Sequence, residues 1–322
     1  MRLCVLGGTA FLGRALVDAA LARGHEVTLF NRGKTNPELF PDLERLVGDR
    51  AGDLTPIRGR TFDAVVDTSG YLPREVAAAC EALAEAGRYC FVSSVSAYGD
   101  LSMPVDEESP LAPLGELSAD EVTGESYGPL KALCEQVVVG AFAGRALVVR
   151  PGLIAGPHDP TGRFTYWPYR VARGGEVLAP APPESRIQAI DVRDLGSWIV
   201  ALCEREAGGV YNATHPGFTW ADLLQACAEV AGAAAGKVTW VPSEFLVEQE
   251  VGEWMELPLW IASPAFAGVR RVDVGRALAA GLALRSLAET VRGALEDAET
   301  SDGVGLTPER ERKLLAEWNG RG

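Results

Sequence analysis

Val5-Leu-Gly-Gly-Thr-Ala-Phe-Leu-Gly13 decides the fold. Residues 2–7 form a short apolar run that ends in glycine, the pattern of a buried strand. Apolar residues at Phe11, Leu12, Ala15, Leu16, Ala19, Ala20 and Ala22 then follow a helical spacing, and Gly24 stops that helix. Gly7, Gly8 and Gly13 therefore sit where a strand turns into a helix. Glycines there let the backbone turn sharply and approach a pyrophosphate, while the helix N-terminus adds partial positive charge. Ala10 stands where a middle glycine is often found. A plain strand–helix turn would read similarly, but the pattern that follows favours a dinucleotide cradle.

Outward from this loop, strand and helix alternate. Glu26-Val-Thr-Leu-Phe30 is the next strand, and others read at 45–48, 62–68, 89–94 and 146–150. Helices fill about 72–86 and 126–143. This predicts an α/β fold, a doubly wound parallel sheet of Rossmann type covered on both faces. After Arg150 the rhythm changes. Residues 151–190 are rich in proline and glycine and read as loops. Helical patterns recur at 192–205, 219–232, 272–280, 286–298 and 307–319, with short strands at 177–179, 187–190, 210–213 and 238–241. All seven tryptophans fall after residue 166. The expected organisation is a dinucleotide-binding region over 1–150. Residues 151–322 form a mixed region, mainly a smaller C-terminal α+β set of substrate-binding elements. The polar tail after about residue 300 reads as a fraying end.

The formal net charge of −14 speaks against nucleic acid as a partner, because a phosphate backbone would be repelled. No apolar run is long enough to span a bilayer, and no charged leader precedes the first strand. Cysteines at 4, 80, 90, 134, 203 and 227 show no metal-binding spacing. They read as small buried core residues of a protein in a reducing cytoplasm, and no metal site is expected.

A second motif lies about 120 residues downstream. Phe91-Val-Ser-Ser-Val-Ser-Ala-Tyr-Gly99 is a strand ending in serines, and Tyr127-Gly-Pro-Leu-Lys131 opens a helix. Hydride transfer at a carbinol carbon needs a partner that exchanges the hydroxyl proton. Free tyrosine, with a pKa near about 10, is a poor base at neutral pH. Lys131 shares a helix face with Tyr127. A cation about 4 Å from the phenol, at an effective dielectric near 20, is worth on the order of 4 kcal/mol. Pro129 costs little in a first helical turn. Ser94 would reach the substrate oxygen from the other side. At the end of the second strand stand Asn31, Arg32 and Lys34 rather than a carboxylate. A carboxylate accepts from a ribose 2′-OH, whereas arginine suits a 2′-phosphate. NADP(H) is thus favoured, with NAD(H) the alternative. Asp49 could accept from the adenine amino group or be a simple loop residue.

These motifs resemble the extended short-chain dehydrogenase/reductases, the NAD-dependent epimerase/dehydratase group. The likeness extends through Arg150-Pro-Gly-Leu-Ile-Ala-Gly-Pro157 and Ile190-Asp-Val-Arg-Asp-Leu195. It implies Ser94, Tyr127 and Lys131 as catalytic residues. It implies cofactor contacts from Gly7, Thr9, Ala10, Phe11, Leu12, Arg32, Asp49, Ser69 and Pro151, beside Gly13 and Asn31 at the loop and strand ends. It also implies a homodimer through the helices at about 72–86 and 126–143. The chain departs from the group in places. Dehydratases carry Asp-Glu directly after the catalytic Ser/Thr, where Val95 and Ser96 stand here, so dehydration is not expected. Leu153 occupies a slot that is often Asn in nucleotide-sugar members, and Arg186 is one residue out of register.

The stretch from His158 to Tyr169 is rich in aromatics and borders either the substrate or a packed loop core. Ser96, His158, Arg163, Tyr166 and Trp167 are the candidate substrate contacts. The leading expectation is an NADP-linked reductase or dehydrogenase acting on a small molecule. The alternatives are a nucleotide-sugar epimerase that retains NAD and a non-catalytic relative that senses cofactor or binds RNA.

Overall fold

The computed structural model describes residues 1–296 and 303–321. β1 (Arg2–Leu6), β2 (Glu26–Asn31), β3 (Glu44–Val47), β4 (Ala64–Asp67), β5 (Tyr89–Val92) and β6 (Ala146–Pro151) are parallel strands of one sheet. A seventh strand, Gly209–Ala213, completes it beside β6. The spatial order is Gly209–Ala213, β6, β5, β4, β1, β2, β3. β1 shows why these strands read as unbroken apolar runs. Leu3 and Val5 enter the core on one face, Cys4 and Leu6 the core on the other, and all four are buried. A sheet covered on both faces has no polar side to alternate with.

α1 (Phe11–Ala22) and α5 (Val192–Glu204) cover one face. α2 (Pro73–Ala82) and α3 (Tyr127–Ala141) cover the other. Thus α5 and the last strand, both beyond residue 150, belong physically to the Rossmann sheet. Residue 150 marks where loops begin, not where the sheet ends. The order reverses at β1 and β4, and Leu6 pairs with Phe30 on one side and Asp67 on the other. An open crevice forms at such a switch point.

The C-terminal elements build a separate core around Trp167 and Trp220, whose rings meet edge to face at 4.7 Å. α4 (Tyr166–Ala172) enters it, although its stretch reads as loop from sequence. The tail is docked rather than frayed where it is described. In the helix Pro308–Asn319, Leu314 and Leu315 are buried, and Glu311 makes a buried ion pair with Arg170 at 2.6 Å. The end of the helix expected at 286–298 lies outside the described residues, and the helix is described over Leu287–Glu296. All six cysteines are buried and unbridged. Among the described residues, no helix is long and apolar enough to cross a membrane and no cluster of metal ligands forms.

Candidate active site

A cleft of about 1420 Å³ opens at the C-terminal ends of β1, β2, β4, β5 and β6. Its floor is the glycine loop. Gly7 and Gly8 have φ of +113° and +92°, a region L side chains rarely adopt. A Cβ on Gly13 would lie 2.7 Å from the Gly8 nitrogen, so the helix packs onto the turn only without one. No side chain caps α1, and no acidic residue stands in its first turn. Its first N–H groups are therefore left for an anion at the cleft floor. The loop is braced from β2: the Asn31 amide donates to Gly7 O at 2.8 Å, Asn36 donates to Thr9 O, and Thr9 Oγ1 donates to Thr35 O. Asn31 is thus committed to the loop's shape. Arg32 and Lys34 line the same end of the cleft and are exposed. These features fit a dinucleotide with an anionic group near the β2 end.

Asp49, Ser69 and Pro151 also line the cleft. One Asp49 oxygen accepts from Ala51 N–H, shaping its own turn. Sequence reasoning missed the neighbour Arg50. Its guanidinium forms a fork on Asp67, with both contacts at 2.8 Å, and reaches Ser69 Oγ at 3.1 Å. Asp67 is fully buried and also accepts from Tyr89 and Ser69 N–H. The only sequence clue was an aspartate at the end of an apolar strand, which needs a partner when buried.

At the other end of β5, Ser94 caps a short 3₁₀ turn, Val95–Ala97, by accepting from Ser96 N–H. Tyr127 begins α3 beside this turn, close enough for the Ser94 hydroxyl to act on its phenol. Gly128 allows this meeting, because a Cβ there would sit 2.1 Å from Ser96 O. Lys131 is buried, and its Nζ donates to Gly70 O at 2.8 Å and Val92 O at 2.6 Å while lying over the Phe91 ring at 4.3 Å. Burial holds Lys131 down to about 8, with Asp67 pulling the other way. Burial raises the Tyr127 phenol, and the nearby Ser94 hydroxyl and the Arg163 charge oppose that rise. Lys131 lies one helical turn beyond Tyr127 on α3.

Residues 59–214 match the NAD dependent epimerase/dehydratase family. Over this stretch, just under half of its length, the chain is similar to that family. The matched stretch carries Ser69, Ser94, Tyr127, Lys131 and Pro151, while the glycine loop precedes it. A 2'-dehydrokanamycin reductase of Streptomyces kanamyceticus is 28% identical over 267 residues, covering 77% of this chain and 72% of its own. The chloroplast stem-loop binding protein of 41 kDa b from Arabidopsis thaliana is 24% identical over 266 residues, 76% and 67% of the two chains. In fold, the UDP-Glc/GlcNAc 4-epimerase of Campylobacter jejuni superposes with a TM-score of 0.68 at 16% identity. That superposition covers 92% of this chain and 98% of the epimerase.

Ser94, Ser96, Tyr127, Lys131 and Arg163 share one cleft with the glycine loop. Three expected substrate contacts do not line it. Trp167 is fully buried and donates to Pro258 O in the C-terminal core. Tyr166 stacks on Trp167 at 5.1 Å and packs under Gly305. His158 turns with φ +63° and its charge is felt by Asp18 of α1. The aromatic stretch is thus chiefly core, because two short helical turns bury its rings against Trp220. Arg186 is also outside the lining and donates to Pro216 O.

Proposed function

We propose that this protein is an NADP-linked oxidoreductase that interconverts a carbonyl and an alcohol on a small molecule. One observation carries the reading: Tyr127 and Ser94 line the same cleft as the open N-terminus of α1. A bound nicotinamide would supply or accept the hydride at the carbonyl carbon. Tyr127 gives its proton to the oxygen in reduction and takes it back in oxidation. Ser94 orients that oxygen. Lys131 lines the same cleft, and the one Nζ–H not given to Gly70 O and Val92 O would donate to a ribose hydroxyl of the bound cofactor. Val95 is buried and Ser96 is tied to Ser94, so the residues after Ser94 offer no carboxylate pair for removing water.

Arg32 and Lys34 at the β2 end support NADP(H), because guanidinium and ammonium pair with a 2′-phosphate and no carboxylate opposes it there. Calorimetry should find NADPH bound more tightly than NADH, and Arg32→Ala should remove most of the difference. Equal affinities in the unmutated protein would sink the NADP assignment. Against carbonyl substrates with NADPH, Tyr127→Phe should lower turnover about a thousandfold while leaving NADPH affinity nearly intact. Near-normal turnover in that variant would remove Tyr127 from the chemistry.

A further inference from the structure

Past the cofactor end, the cleft has an apolar wall that includes Leu101, Leu153, Trp254, Leu259, Ile261 and Phe266. Phe266 is 50% exposed, an unusual place for a phenylalanine unless something covers it. The polar side chains at this end are already engaged. The Gln188 amide donates to Val272 O and His215 O and accepts from Val272 N–H. Thr123 Oγ1 is bonded to Ser126, and Thr161 Oγ1 to Asp159. Little is left to recognise the many hydroxyls of a sugar.

The charges at this end are Arg163, Arg270 and Glu253. Arg270 feels the like charge of Arg271 ahead of the opposite charge of Glu253. The Arg163 guanidinium stacks on Trp254 at 4.9 Å, and its Nε is buried with no hydrogen-bond partner. Asp159 is its electrostatic counterweight, but no ion pair joins the two among the described residues; one Asp159 oxygen accepts from Thr161, and the other is buried without a hydrogen-bond partner. A buried donor without a partner is costly unless a ligand completes it. Arg163 and Tyr127 line the same cleft, and each feels the other's charge.

We infer that the substrate is an oxo or hydroxy acid with an apolar carbon body. Its carboxylate pairs with Arg163, and its carbon body lies on the wall of Leu101, Trp254 and Phe266. The oxidised or reduced carbon then comes to Tyr127. The inference rests on the oxidoreductase reading above and narrows its substrate.

The test is calorimetry of 3-hydroxydecanoate, its methyl ester and UDP-glucose, each with and without saturating NADP⁺. The acid should bind about tenfold or more tightly than the ester, the usual scale for one charge-assisted pair. Arg163→Met should erase that gap at unchanged NADP⁺ affinity, and Arg163→Lys should keep part of it. Equal binding of acid and ester, no binding of either, a gap that survives Arg163→Met, or tighter binding of UDP-glucose would each overturn the inference. If Arg163→Met fails to fold, the acid-to-ester ratio in the unmutated protein and in Arg163→Lys decides. Failure to bind NADP⁺ at all would instead overturn the oxidoreductase reading, and the acid–ester comparison without cofactor would still judge the substrate.

Discussion

Single residues fix the chemistry of the cleft, and Lys131 is the sharpest case. Burial disfavours its charged form and holds it at about 8, whereas an unfolded chain titrates lysine near about 10.4. Between those values the unfolded chain binds more protons than the folded one, so this group makes stability rise with pH. Below about pH 8 its full penalty is present, and the penalty fades as pH climbs towards about 10.5. Lys131→Met should therefore be more stable than the unmutated protein near neutrality, with the difference shrinking across that window. Urea unfolding at pH 7, 8.5 and 10 would show it, and a constant difference would contradict it. Gly128 matters for geometry instead. A methyl group there meets Ser96 O and must push α3 away from the serine turn. Gly128→Ala should cost about 1–3 kcal/mol as an overpacking change and lower turnover more than it weakens NADPH binding. An unchanged ratio of turnover to cofactor affinity would count against that role. The glycine loop, Ser94, Tyr127 and Lys131 were legible in sequence because each motif is local. Arg50 with Asp67, and Asn36 with Thr9, were not, since their partners lie 17 and 27 residues away and meet only in the fold.

Secondary-structure elements are held in place by two buried ion pairs. Arg150 on β6 grips Glu135 on α3 at 2.6 Å, and Glu135 lies one helical turn beyond Lys131 on the same face. The pair sets the height of the helix that carries Tyr127. The second pair, Arg170 with Glu311, docks the helix Pro308–Asn319, and Glu311 also accepts from Leu178 N–H at 3.1 Å. Removing one partner of such a pair strands a buried charge. Glu311→Ala should destabilise the protein by about 3–5 kcal/mol, read as a fall in the urea midpoint. A loss under about 1 kcal/mol would mean the tail is dispensable, since that is the usual scale of an exposed pair. Sequence periodicity found nearly every element of the first 150 residues, because parallel strands covered on both faces are unbroken apolar runs. It failed at α4, which is seven residues long with Pro168 inside. That is too short for a period to show, so the sequence left its aromatics open between a substrate border and a packed core; Phe164 and Trp167 are core, whereas Tyr169 is exposed.

The whole molecule is a Rossmann sheet whose last strand and covering helix arrive after a long excursion. Cutting at residue 150 would uncover the α1 face that α5 packs against and leave β6 without the strand Gly209–Ala213. A fragment of residues 1–150 should therefore neither bind NADPH nor show cooperative unfolding, whereas one of residues 1–214 retains the complete sheet and should do better on both counts. Cooperative unfolding of the shorter fragment would show that the excursion is not needed.

The late strand also bears on biosynthesis. Roughly sixty residues separate β6 from its outer neighbour, and translation at about 5–20 residues per second takes several seconds to cover them. For that interval the nascent chain displays a mostly apolar strand with an open hydrogen-bonding edge. Such an edge is open to mispairing, and the yield of the protein in a cell should depend on the speed of translation between those two points.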